Sequence, residues 1–173
     1  MPLQICAYVA ADAEAIPCVN ASFDCVIANH MLYHVPEVGK AVAEIHRALR
    51  PEGRFCAATN GRRHLQELWR LTAEAGSRPD DLGPWSGMIG RFSLENGGEV
   101  ISPRFPHVEL HHYYDGMEVT EAEPLVAYVA SMISGPPSAE ALARFRKIVE
   151  ARLAADGSVH IGKEAGLFEA CKA

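Results

Sequence analysis

Asn29, His30, Met31, Tyr33 and His34 stand close together, directly after the apolar run FDCVIA. An imidazole at such a place can take a proton from a substrate as a general base. His30 and His34, four positions apart, also have the spacing of a metal pair. No long helix is expected to begin there and no third ligand is evident, so the expectation is no metal. Asp12 follows the first apolar stretch and Asn60 follows the third, which puts further polar groups at comparable places. Other reactive side chains read more plainly. His111 and His112 point to opposite faces of a strand, so with His107 they read as solvated or hydrogen-bonded histidines. Cys25 lies mid-strand without a clear histidine partner and reads as core. Arg62-Arg63-His64 opens a helix and reads as solvated surface. Trp69 and Trp85 read as packing residues, Trp85 having the better claim on a substrate.

The elements that must position these groups alternate. Gln4 to Ala10 and Phe23 to Ala28 read as strands, the second apolar enough to be covered on both faces. Val38 to Leu49 carries Val38, Val42, Ile45 and Leu49 at helical spacing and stops at Arg50-Pro51-Glu52-Gly53. Arg54 to Thr59 is the next strand, and Arg62 to Ala75 the next helix. This strand–helix alternation with short connections predicts an α/β fold with a mostly parallel sheet and helices on both faces. Residues 76–106 are rich in Gly, Pro, Ser and Asn yet keep apolar residues, and read as a lid insertion. His107 to Tyr114 is a strand. Helices follow over Leu125 to Ile133 and Ala139 to Ala155. Ser158 to Ile161 and Gly166 to Cys171 form a closing strand pair or one bent strand. In open α/β sheets, ligands sit beyond the carboxyl ends of strands. Ala28-Asn29-His30-Met31 lies at such an end, which explains why the apolar pattern stops so abruptly.

The 173 residues suit a single domain spanning 1–173. A formal charge of −6 argues against a general nucleic-acid surface. The five cysteines have neither a C-x-x-C pair nor zinc spacing, and read as small hydrophobes in a reducing compartment. No window approaches a membrane span, and MPLQICAYVAADAE lacks the basic start of a signal peptide, so the expected location is cytoplasmic.

The stretch "ADAEAIP…ASFDCVIANHMLYHV…VGKAVAEIHRALRPEGRFCAATNG" resembles the central segment of class I methyltransferases that use S-adenosylmethionine (SAM). Within them it is similar to the small-molecule, methyltransferase type 11-like group, with its D-A-x-x-x-P, S-F-D and L-R-P-x-G-R elements. "FSLENGG", "EPLVAYVASM" and "IGKEAGLFEACK" extend the likeness over nearly the whole chain. The resemblance implies a Rossmann-like sheet with an antiparallel last strand, SAM as cofactor and a small-molecule methyl acceptor. It implies that Asp12 accepts a hydrogen bond from the adenine amino group, with the Ala13 amide near the ring. Ala28 and Asn29 would approach the methionine part of SAM through backbone carbonyls. His30 and Met31 would border the reacting methyl. His34 would lie near the substrate, and His30 or His34 would serve as catalytic base where the acceptor must lose a proton.

One departure matters. The family's glycine-rich turn after its first strand and the acid after its second have no counterpart here. Gly87-Met88-Ile89-Gly90 and Gly97-Gly98 follow no buried strand. The chain reads as N-terminally truncated relative to the family, and SAM binding is expected to be impaired or absent. The alternative is a non-catalytic module that self-associates, or binds a partner chain, through the sheet edge that the family's first strand would cover. Gln4 to Ala10, or a second copy in a homodimer, is expected to pair along that edge.

Overall fold

A computed structural model describes residues 7–76, 90–132 and 138–173. In chain order the elements are β1 (Phe23–Asn29), a 3₁₀ turn (Leu32–His34), α1 (Val38–Ala48), β2 (Leu49–Asn60), α2 (Gln66–Glu74), α3 (Gly97–Ile101), β3 (Val108–Val119), α4 (Ala122–Met132), α5 (Ala139–Asp156) and β4 (Val159–Cys171). The sheet order is β1-β2-β4-β3. β1 and β2 are parallel, while β4 is antiparallel to both β2 and β3. Three strands therefore run one way, and the last strand runs against them from its place between β2 and β3. This is the expected α/β, Rossmann-like sheet with an antiparallel last strand.

Helices cover both faces, in two separate clusters. Side chains alternate along a strand, so Phe168 and Ala170 of β4 face one way and Val159 and Ile161 the other. The first set joins Val42 and Ile45 of α1, Phe55 and Ala57 of β2, and Phe92, Ile101 and Phe105 in one core. The second set joins Leu68 and Leu71 of α2, Val126 and Val129 of α4, and Phe145 and Val149 of α5 in another. The helical spacing of Val38, Ala41, Val42, Ile45 and Ala48 buries a single stripe of α1. Ser138 caps α5 by accepting a hydrogen bond from the Ala141 amide, and Gly157 ends it in the left-handed region at φ 79°.

Several expectations change. Residues 7–10 form no strand and are exposed, and residues 4–6 lie outside the described residues. Over residues 7–10 the expected strand is therefore absent, and among the described residues the outer edge of β1 is unpaired. Cys25 is exposed rather than core, because among the described residues no helix covers its face of β1. Of the segment read as a lid, residues 90–106 are built into the first core through Phe92, Leu94, Ile101 and Phe105. The remainder, with Trp85, lies outside the described residues. The closing strand is one continuous element of 13 residues. No described helix is long and apolar enough to cross a membrane.

Candidate functional site

β1 and β2 end side by side at Asn29 and Asn60, and the His30 amide donates to the Ala58 carbonyl (3.0 Å) to close their ladder. His30 itself has φ 47°. A left-handed conformation is costly for a side chain with a Cβ, and such positions concentrate where the chain must turn sharply at a site. Beyond these strand ends lies a pocket of about 370 Å³. It is lined by His30, Tyr33, Asn60, His64 and Trp69, by Tyr113, Asp115 and Lys163 of the paired strands β3 and β4, and by Tyr128 of α4.

The loop between β2 and α2 is held by β4. β4 is longer than β2, so its backbone beyond Ala165 needs other partners. Residues 61–67 supply them. The amides of Gly61 and Leu65 donate to the carbonyls of Glu164 and Gly162 (3.0 and 2.9 Å). In the other direction the Gly162 amide donates to Glu67 Oε2 (2.9 Å) and the Glu164 amide to His64 Nδ1 (3.2 Å). The Glu164 carboxylate completes the clamp, accepting from the Arg63 amide (3.1 Å) and the Arg63 guanidinium (2.7 Å). Trp69 Nε1 donates to the His64 carbonyl (3.0 Å). Burial, with the nearby His30 and Lys163, holds the His64 pKa below the ordinary histidine value. Lys163 pairs with Asp115 (3.1 Å), while the Gly116 amide and Lys163 lower the Asp115 pKa.

The other expected site residues gather near the same end of the sheet. Asp12 and Ala15 close a tight turn, in which Asp12 Oδ1 accepts from the Glu14 amide (2.9 Å). Glu14 accepts from the Glu37 amide just before α1 (2.9 Å), and Ile16 donates to Glu44 (3.0 Å). Arg47, held by Glu44, donates to the carbonyls of Ile16 and Cys18. These bonds fix the turn against α1. Ala13 and Met31 are half-buried on the first core, and Asn29 is exposed. The Ala28 side chain is buried, which leaves only its backbone for a ligand. His34 is exposed and packs on Tyr33, with ring centroids 4.5 Å apart. It does not line the pocket, so the structure separates the two candidate bases and brings only His30 to the cavity.

The residues expected to meet SAM lie in two places. Asp12 keeps Oδ2 for a donor, and the end of β1 offers backbone and Asn29. The middle of the cofactor is less well served. Among the described residues no strand lies beyond β1, so no strand-to-helix turn stands beside Asn29 to cradle a ribose. Sequence reasoning missed His64, Tyr113, Asp115, Tyr128 and Lys163. The alternation of Tyr113 and Asp115 along β3 puts them on one face, but only the register with β4 brings Lys163 beside Asp115.

A family model described as a methyltransferase domain matches residues 2–57. The malonyl-[acyl-carrier protein] O-methyltransferase of Enterobacter lignolyticus is 36% identical over 97 residues, which cover 51% of this chain and 39% of that one. The ubiquinone/menaquinone biosynthesis C-methyltransferase of Brucella anthropi is 42% identical over 48 residues, 28% of this chain and 18% of that one. The matched stretches thus span less than half of either relative. Among solved structures, a protein of Bacillus halodurans provisionally assigned as a methyltransferase superposes with TM-score 0.61 at 16% identity, covering 95% of this chain and 76% of that one. The YcgJ protein of Bacillus subtilis superposes with TM-score 0.57 at 18% identity, covering 92% and 68%. At those identities the likeness speaks for the fold.

Proposed function

We propose a function from one premise: this chain belongs to the class I SAM-dependent methyltransferase family. It acts on the acceptor side of methyl transfer to a small molecule. The observation that carries this reading is the pocket at the carboxyl ends of β1 and β2, with His30 among its lining residues. SAM, when bound, supplies an electrophilic methyl group. The chain's own share is to orient the acceptor and keep water from it, the main protein contributions to a direct displacement. Asp12, Ala13, Ala28, Asn29, His30 and Met31 are the residues proposed to face the cofactor. His30 is preferred over His34 as a proton acceptor, because His30 lines the pocket.

The 173-residue chain is proposed to hold SAM weakly. Missing ribose contacts remove several hydrogen bonds, each worth about 0.5–1.5 kcal/mol, or about 1.5–3 kcal/mol when charged. Together they cost a factor of hundreds in affinity, roughly 3–4 kcal/mol. Calorimetric titration with SAM and with its demethylated product tests this. The expected outcome is weak saturable binding, lost in Asp12→Ala. No heat at millimolar ligand from a folded chain would defeat the enzymatic reading for this chain and turn attention to the open edge of β1. That edge favours a second reading, self-association, because Phe23 and Ile27 are 44% and 66% exposed there.

A further inference from the structure

We propose that the pocket binds a planar aromatic compound carrying a carbonyl-type oxygen, and that His64 Nε2–H donates a hydrogen bond to that oxygen. The proposal deepens the methyltransferase reading by naming a class for the acceptor. It rests on that reading only for the ligand's role, since binding needs no cofactor.

The walls point to a flat ring. His30, Tyr33, Trp69, Tyr113 and Tyr128 all line the pocket. Tyr113 and Tyr128 are 64% and 44% exposed, so both rings are open to a ligand in the pocket. Aromatic faces stack favourably against another ring. A volume of about 370 Å³ accommodates a bicyclic compound. The charged groups at the site compensate each other, because Lys163 is paired with Asp115. A neutral ligand fits this better than an ionic one.

The hydrogen-bond network assigns the donor. The Glu164 amide proton is aimed by the strand backbone and meets His64 Nδ1. Its partner carbonyl, also near Nδ1 at 3.1 Å, already accepts from the Gly61 amide. Nδ1 is therefore the acceptor nitrogen, and in a neutral ring the hydrogen sits on Nε2. Burial and the neighbouring His30 and Lys163 favour the neutral ring. Nε2–H is then the ring nitrogen left to donate to a ligand's acceptor oxygen.

The test uses the whole chain and two neutral probes of similar shape, 2-acetylnaphthalene and 2-isopropylnaphthalene, followed by NMR titration without SAM. The ketone is expected to bind about tenfold more tightly than the hydrocarbon, the value of one hydrogen bond that would otherwise be left unmade. His64→Phe should erase that preference. Tyr128→Ala, at an exposed position, should weaken both probes about fivefold and leave the ratio intact. In the unaltered chain, the ¹⁵N resonance of His64 Nε2 should move with the ketone and stay with the hydrocarbon, a readout that survives if His64→Phe folds poorly. Equal affinity for the two probes, no saturable binding of either, or an unmoved Nε2 resonance would overturn the proposal. Because SAM binding is measured separately and through Asp12, a failed SAM titration with retained ketone preference would sink the methyltransferase reading alone.

Discussion

A methyl group on Gly61 would land inside the Glu164 side chain, which is itself 8% exposed and held by Arg63. Gly61→Ala must therefore displace a carboxylate from its partners. It is expected to destabilise the fold by about 1–3 kcal/mol, measured as a lower urea midpoint. A midpoint equal to that of the parent chain would show that the clamp yields without cost. This residue-scale fit also explains what reading along the chain could and could not find. The place of His30 at a strand end was legible because polar groups after apolar runs mark strand ends, whereas Asp12 follows residues 7–10, which form no strand. His64 was not legible, because its partner lies 100 positions away and converts a residue that looks solvated into a held one. Cys25 misled for the converse reason: an apolar neighbourhood in sequence says nothing about whether a helix lies over it.

At the scale of elements, the start of α2 is strapped to β4 through Glu67, whose carboxylate accepts from the Gly162 amide. That bond holds the Glu67 pKa below its ordinary value of 4.5. The sign follows from linkage. A carboxyl whose pKa falls on folding adds stability that is complete above the unfolded value and disappears as pH drops through the folded one. Glu67→Gln should thus lower the urea midpoint at neutral pH. The gap between variant and parent should close as the medium is acidified below the ordinary value of 4.5 and through the lowered folded one. A gap independent of pH would mean that the carboxylate charge does not act there. The helices themselves were plain in the sequence, since the stripes of α1 and α5 repeat every three or four residues. The short α3 was less so, because Gly97 and Gly98 lower its local propensity while Phe168, packed against Gly97, holds it from outside.

For the whole molecule, the decisive feature is the edge and outer face of β1, uncovered among the described residues. Exposed Phe23 and Ile27, with Tyr8, Val9 and Val19 nearby in the chain, leave apolar surface beside unpaired backbone. Sedimentation of the chain over a wide concentration range is expected to show the mass rising from 18.8 kDa toward twice that value. Ile27→Lys should hold it at the monomer, since a charge on an edge strand opposes pairing. A parent chain that stays monomeric throughout would remove the self-association reading. The alternation of strand and helix, the direction of the closing strand implied by the resemblance and the crevice at Asn29-His30 could all be stated from the sequence alone. The alternation and the crevice depend on local periodicity and on order along the chain, which a sequence carries directly, whereas the strand direction came only from the resemblance. The tertiary structure alone decided that residues 90–106 belong to the core and that residues 7–10 form no strand beside β1. It alone also brought His64, Tyr113, Lys163 and Tyr128 around one pocket. Each of those outcomes depends on contacts between residues far apart in the chain, set by which surfaces bury together, and no local pattern encodes them.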